Sequence, residues 1–344
     1  MMGNIIVPLD GSPQAETVLP LAQIFTRNTN STLTLLTVFN RFALLDAHKS
    51  EAEAYDYLDS VRECITTLEN KGGLSENQVK IKVVYGSPGE EIGENSEFEQ
   101  ASLVMMTTHG RNPMSKLVLG SVASKLLQRN CCPLIVFKAT TSADERTMIE
   151  RVHRANLWSS TSMANRVVLA LDGSELSEGA IPEAVEIAQQ LGAELDLVAV
   201  IDPYTGGYSA KKLAEVDIKF ARYTSNPEQE SMHRMVDVHL YLQSVAHKIE
   251  TNGLFTRVAV EQGGPATGIH EYARRQNASL IVMATRAGNL QNRFRLGSIA
   301  DEVVRKGGIP VLMVPAFQMH PEAVKITGRQ PDYQYQANYN NLSN

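Results

Sequence analysis

Two Asp-Gly-Ser triplets, Asp10-Gly11-Ser12 and Asp172-Gly173-Ser174, each follow a short apolar run, IIVPL and VVLAL. An Asp ending a strand there can meet the polar groups of a ligand, while the Ser caps the next helix and Pro13 suits its first position. Two Gly-Ser pairs, Gly120-Ser121 and Gly297-Ser298, open later helical segments. A helix start presents unpaired N–H groups and the positive end of the dipole, so a small residue and a hydroxyl there make an anion site. In the first half Gly110 stands ten residues before Gly120, just after the run LVMMTT, where a missing Cβ allows a phosphate to approach the backbone. Arg111 and Lys116 lie in the intervening loop, and Arg286, Arg293 and Arg295 lie in its counterpart. Basic groups around a helix start fit phosphates. The plainer readings are an Asp that only closes a turn and basic side chains that are simply solvated.

Other chemistry finds no support. The chain has no GxxxxGK[ST] loop, no GxGxxG, no HExxH and no GxSxG, which argues against a Walker ATPase, a Rossmann oxidoreductase, a zinc protease and a serine hydrolase. His233, His239 and His247 are spaced by six and eight, not by the four that places two ligands on one helix face. Cys131-Cys132-Pro133 leads into LIVF, where small buried residues suit the start of a strand better than a metal or redox site. Glu90, Glu91, Glu94, Glu97 and Glu99 read as a solvated helix face whose N-terminal members suit the dipole, not as an acid-base pair. The reading is a binding protein, not an enzyme.

The elements that position these residues come from a doubled unit. Asp10 and Asp172 are 162 apart, and LTLLTVF ending at Phe39 returns at the same offset as LDLVAVI ending at Ile201. Farther on, ASLVMM from Ala101 matches ASLIVM from Ala278, and Gly120-Ser121 matches Gly297-Ser298, now with an offset of 177. The second copy therefore carries 15 extra residues between its second and third strands, in the loop-like stretch from Asp202 through YTSNPEQES. Within copy one the strands read NIIVPL, LTLLTV, VKIKVVY, LVMMTT and LIVFK, with helices near 13–28, 50–71, 88–100 and 119–129. Near-continuous apolar strands separated by helices predict an α/β fold of two tandem repeats. Each repeat is an open five-stranded parallel sheet with helices on both faces. A ligand then sits outside the carboxyl ends of the strands, where both Asp residues and both Gly-Ser pairs fall.

The expected boundaries are a first domain over 1–138, a polar linker over 139–164, a second domain over 165–316 and a polar tail over 317–344. The formal charge of -6, from 32 basic and 38 acidic residues, argues against a nucleic-acid partner. No apolar run spans a bilayer and the start MMGNIIVPLDGS is not a signal peptide, so a cytoplasmic protein is expected.

The set VPLDGS, GSPGEEI, THGR, LGSVASKLL and NCCPLIVFK resembles the universal stress protein family, and both copies share the resemblance. The family signature is Gly-x2-Gly-x9-Gly-(Ser/Thr) after the fourth strand, with an Asp ending the first. The resemblance implies the adenine nucleotide alpha hydrolase-like fold, pairing through the last strand and, in one branch of the family, ATP binding. Its implied nucleotide contacts in copy one are Asp10, Val38, Met106, Thr107, His109, Gly110, Arg111, Gly120, Ser121 and Val122. Thr107 stands where the signature has its first Gly. In copy two the positions are Asp172, Val200, Met283, Gly297, Ser298 and Ile299, and the first two glycines are replaced by Ala284 and Ala287, with Gly288 displaced by one. The expectation is a stress-response regulator that binds ATP, with or without Mg2+, chiefly in copy one, and whose occupancy controls partner contacts. The alternatives are a nucleotide-independent assembly protein and a weak ATP hydrolase. Intramolecular pairing of the two domains is expected, and a homodimer of such chains is compatible with it.

Overall fold

The structure, a computed structural model, describes residues 3–39, 50–66, 73–98, 101–108, 120–129, 132–138, 166–201, 227–251, 253–285 and 297–315. The expected linker 139–164, the extra residues 202–226, the tail 317–344 and the loops 109–119 and 286–296 lie outside them. In the first half the strands are β1 (Asn4–Pro8), β2 (Thr32–Phe39), β3 (Val79–Tyr85), β4 (Leu103–Thr107) and β5 (Leu134–Phe137). The helices are α1 (Pro13–Glu16), α2 (Leu19–Thr29), α3 (Glu51–Thr66), α4 (Pro88–Phe98) and α5 (Ser121–Arg129). The second half has β6 (Arg166–Ala170), α6 (Glu175–Glu178), α7 (Ile181–Leu191), β7 (Glu194–Ile201), α8 (Pro227–Glu250), β8 (Thr256–Gln262), α9 (Pro265–Arg275), β9 (Leu280–Thr285), α10 (Ser298–Lys306) and β10 (Val311–Pro315). These repeat the first half at offset 162 through β7 and at 177 from β8. Residues 202–226 separate β7 from α8 where only 40–50 separate β2 from α3, so the extra length falls ahead of the helix.

All ten strands form one sheet in the order β3-β2-β1-β4-β5-β10-β9-β6-β7-β8. Each half is parallel throughout, and the halves join by the antiparallel pairing of β5 with β10, Ile135 opposite Leu312. Strand order reverses at β1 and β4, which pair in parallel, so the carboxyl ends of these two strands flank the crevice of the first repeat. Along β1, Ile5 and Val7 enter one core and Ile6 the other, as the two-residue period of a strand requires. The first core lies beneath α2, α3, α7 and α8, and the second beneath α4, α5, α9 and α10. Both run without interruption from one repeat into the other. A fully buried residue such as Leu33 or Leu197 contributes roughly 1.5–3 kcal/mol. Helix α2 packs against α7 across the join.

One helix reading is corrected. The run 13–28 is not continuous, since α1 stops at Glu16 and α2 begins at Leu19. Pro20 has no N–H to give to the Glu16 carbonyl, and its ring collides with that oxygen in a continuous helix, so the chain restarts with Pro20 in the first turn. Pro182 divides α6 from α7 in the same way.

Candidate functional site

In the first repeat the turn after β1 is built by Asp10. Its Oδ1 accepts from the Ser12 N–H at 3.0 Å and from the Ser12 hydroxyl at 2.5 Å, while Ser12 Oγ accepts from Ala15 N–H at 3.2 Å and caps α1. Gly11 takes φ +78°, a conformation that costs glycine nothing. The second repeat copies this in detail. Asp172 accepts from the N–H and hydroxyl of Ser174, Ser174 caps α6, and Gly173 has φ +73°. The plainer reading of the aspartates is thus realised, since each closes a turn. That turn also holds the carboxylate at the carboxyl end of the central strand.

Behind the turn lies an apolar ledge. Val38 at the end of β2, Met106 on β4 and Val122 in the first turn of α5 are half-buried and pack on the second core from one face of the sheet. Val84 joins them, because β3 sets it beside Val38 in register. Sequence reasoning missed Val84, although pairing of VKIKVVY against LTLLTV would have pointed to it. Thr107 is different. It is buried, and strand alternation turns it to the face of Met105, away from the ledge.

The start of α5 is fastened to β4. Thr108 N–H donates to the Phe137 carbonyl at 3.0 Å, and the Thr108 carbonyl accepts from Gly120 N–H at 2.9 Å. A Cβ on Gly120 would stand 2.5 Å from that carbonyl oxygen, so only glycine fits. The Gly120 N–H is therefore committed within the protein. The donors an anion would meet are those of the first turn, Ser121, Val122 and Ala123, which have no acceptor within the helix. Ser121 is exposed. His109, Gly110 and Arg111, with the basic side chains Lys116, Arg286, Arg293 and Arg295, lie outside the described residues, as do Ala287 and Gly288.

The equivalent place in the second repeat is more closed. Val200 and Met283 are 8% and 7% exposed, and α9 presses on Val200, since a Cβ at Gly268 would come within 2.8 Å of it. Ala284 faces the first core. Gly297 caps α10 with no atom within 4 Å of a Cβ placed on it, and among the described residues no bond ties it to Thr285 as Gly120 is tied to Thr108. Ser298 and Ile299 are exposed. The two repeats share a backbone but differ in how far these side chains are buried.

Glu90, Glu94 and Glu97 on α4 are half exposed or more, as a solvated face requires, and each also meets a cation of α5. Glu90 meets Lys125 at 2.8 Å, and Arg129 reaches Glu97 at 3.3 Å and Glu94 at 3.6 Å. The hydrogen bond and charge of Lys125 hold the Glu90 carboxyl below its usual range. Cys132 is buried in the second core, and Cys131 lies outside the described residues. Among the described residues no three His, Cys, Asp or Glu side chains converge as a metal site, and no helix is long and apolar enough to cross a membrane.

Comparison with known proteins matches the chain to one family twice. The profile of the universal stress protein family matches residues 1–138 and again 163–315. A universal stress protein of Methanocaldococcus jannaschii is 28% identical over 155 residues, covering 44% of this chain and 83% of the relative. The stress response protein NhaX of Bacillus subtilis is 27% identical over 165 residues, covering 44% of this chain and 98% of the relative. Among solved structures, a universal stress protein from Archaeoglobus fulgidus superposes over 91% of this chain and 98% of its own, with a TM-score of 0.57 and 22% identity. A universal stress protein from Pseudomonas aeruginosa does so over 95% and 98%, with a TM-score of 0.58 and 16% identity. At these identities the two structures speak for the fold alone.

Proposed function

The chain belongs to the universal stress protein family through both of its repeats, and on that premise we propose that it is a stress-response regulator whose first repeat binds ATP or a related adenine nucleotide. The observation that carries this reading is the half-buried ledge of Val38, Val84, Met106 and Val122, which packs on the second core from strands on both sides of the one that ends at the Asp10 turn and from the start of α5. A purine ring would cover the ledge and complete its burial. Asp10 would face the base or ribose, and the phosphates would rest on the first-turn N–H groups and hydroxyl around Ser121, supported by the helix dipole. His109, Gly110 and Arg111 belong to the same proposed site. When bound, the nucleotide brings negative charge and, with Mg2+, a divalent cation to this edge of the sheet. Occupancy would then alter the surface offered to partner proteins. Analysis of nucleotide released from the gently denatured protein tests the assignment, with one adenine nucleotide per chain as the expected stoichiometry.

A second reading applies to the second repeat. The burial of Val200 and Met283 supports a role in assembly without nucleotide, with the β5–β10 pairing supplying within one chain the contact that two single-domain chains would make. In that reading 1–138 and 165–316 are the two domains, the second serving as the fixed partner of the first. Hydrolysis is not part of the proposal.

A further inference from the structure

One acidic residue of α4 is placed unlike its neighbours. Glu90, Glu94 and Glu97 face Lys125 and Arg129 of α5, whereas Glu91 reaches back to the carboxyl end of β3. Its carboxylate lies over Gly86, the residue after β3, so that a Cβ on Gly86 would overlap Glu91 Oε1 and stand 2.8 Å from Cδ. Gly86 takes φ +145°, and the contact and the backbone together reserve this position for glycine. Glu91 is half-buried, and among the described residues no ion pair engages it. In the second repeat the same position is Gly268. A Cβ there would lie 2.8 Å from Val200 and 3.5 Å from the Glu261 Cβ, two residues that pair across β7 and β8 as Val38 and Val84 pair across β2 and β3. Residue 91 therefore stands over the Val38–Val84 end of the ledge, where α4 packs against β2. Over Gly263, the counterpart of Gly86, no described atom lies within 4 Å of an added Cβ.

Of the two repeats, only the first thus puts a carboxylate at the rim of the ledge, where the edge of a purine lying on the valines would end. A carboxylate accepts through two oxygens with about four lone-pair sites and has no proton to donate. It therefore sorts bases by what they present. The 6-amino group of adenine donates to it, whereas the 6-oxo group of hypoxanthine or guanine sets one acceptor against another and leaves both unsatisfied in a partly dry site. We propose that Glu91 is a specificity-determining residue of the first repeat, selecting a 6-aminopurine on the ledge by accepting a hydrogen bond from its exocyclic amine. This deepens the nucleotide reading above and rests on it.

The test is calorimetric titration of the full chain with ATP and with ITP, each with Mg2+, because the two share ribose and triphosphate and differ only in the edge of the base. The wild type is expected to bind ATP more than about tenfold tighter than ITP. Glu91→Gln, whose amide donates as well as accepts, is expected to narrow that ratio to less than about threefold. Glu91→Ala removes the acceptor and is expected to narrow it as well, and it serves if the Gln variant does not fold, since Gly268 shows the same helix position without a carboxylate. Equal affinity for ATP and ITP in the wild type, or an undiminished preference in both variants, overturns the role of Glu91 while nucleotide binding stands. Absence of binding by either nucleotide overturns the nucleotide reading itself, and the role of Glu91 with it.

Discussion

Gly120 and Thr108 are locked together, because the glycine N–H donates to the threonine carbonyl at 2.9 Å and the same oxygen would stand 2.5 Å from any Cβ on the glycine. The start of α5 is thus held against the end of β4 by a contact that tolerates no side chain. Gly120→Ala is expected to destabilise the protein by roughly 1–3 kcal/mol, the usual cost of forcing atoms into a filled space. Gly297→Ala, where nothing approaches, should change stability by less than about 0.5 kcal/mol. Urea unfolding of the two variants measures the difference, and equal losses would show that the contact does not matter.

The buried network of the second repeat gives a second prediction. Burial opposes the charge on Arg166, but the hydrogen bond and charge of Asp196 outweigh it and hold the guanidinium pKa above its usual value. Burial, followed by the Asp196 charge, raises the Tyr272 phenol in turn. Arg166→Met strands the Asp196 carboxylate and is expected to cost about 3–5 kcal/mol. Replacing both members by their first-repeat counterparts, Arg166→Asn with Asp196→Thr, should restore most of that loss, a non-additivity that a double-mutant cycle in denaturant reads directly.

Glu183, in the first turn of α7, predicts a pH effect. It is 8% exposed, neither carboxylate oxygen has a hydrogen-bond partner among the described residues, and burial pushes its pKa from 4.5 up to about 7, with Glu186 adding to the rise. A carboxyl raised in the folded state contributes stability that is present in full below the unfolded value near 4.5. That stability is lost as pH rises toward 7, and above 7 the folded chain carries a buried charge. At roughly 1.4 kcal/mol for each tenfold change in proton affinity, the span from 4.5 to about 7 corresponds to about 3 kcal/mol. Leu21 holds the matching position in the first repeat, so Glu183→Leu is expected to stabilise the protein at pH 8 by an amount of that order. The gain should shrink as pH falls from 7 to 4.5. Melting curves of wild type and variant across this range check it, and a difference independent of pH would remove Glu183 as its source.

Much of this architecture is legible in the sequence because it is written twice. Asp10 with Asp172 and Gly120 with Gly297 set the register of the repeats, and apolar runs as continuous as LIVF imply strands covered on both faces. Local pattern failed where a single atom decided the outcome, as with Pro20, whose missing N–H divides α1 from α2. It also failed where partners are distant in the chain. The cations of α5 that pair with Glu90, Glu94 and Glu97 come from Lys125 and Arg129, brought alongside only when α4 and α5 pack on the same face. The ledge was legible in Val38, Met106 and Val122 but not in Val84, since strand pairing places it. Nothing in the composition of α7 shows that Glu183 is buried, because burial follows from how the helix packs in the folded chain.

The central claim is that an adenine nucleotide binds at the start of α5, and it is tested most directly by calorimetric titration of ATP with Mg2+ into the wild type and two matched variants. Ser121→Asp places a negative charge where the phosphates would rest, at an exposed first-turn position where the helix dipole favours it, so the fold is retained. Ser298→Asp makes the same change at the start of α10. The account predicts saturable binding of one nucleotide per chain, weakened more than about tenfold by Ser121→Asp and untouched by Ser298→Asp. Absence of saturation in the wild type at millimolar nucleotide, or full affinity in Ser121→Asp, would contradict it.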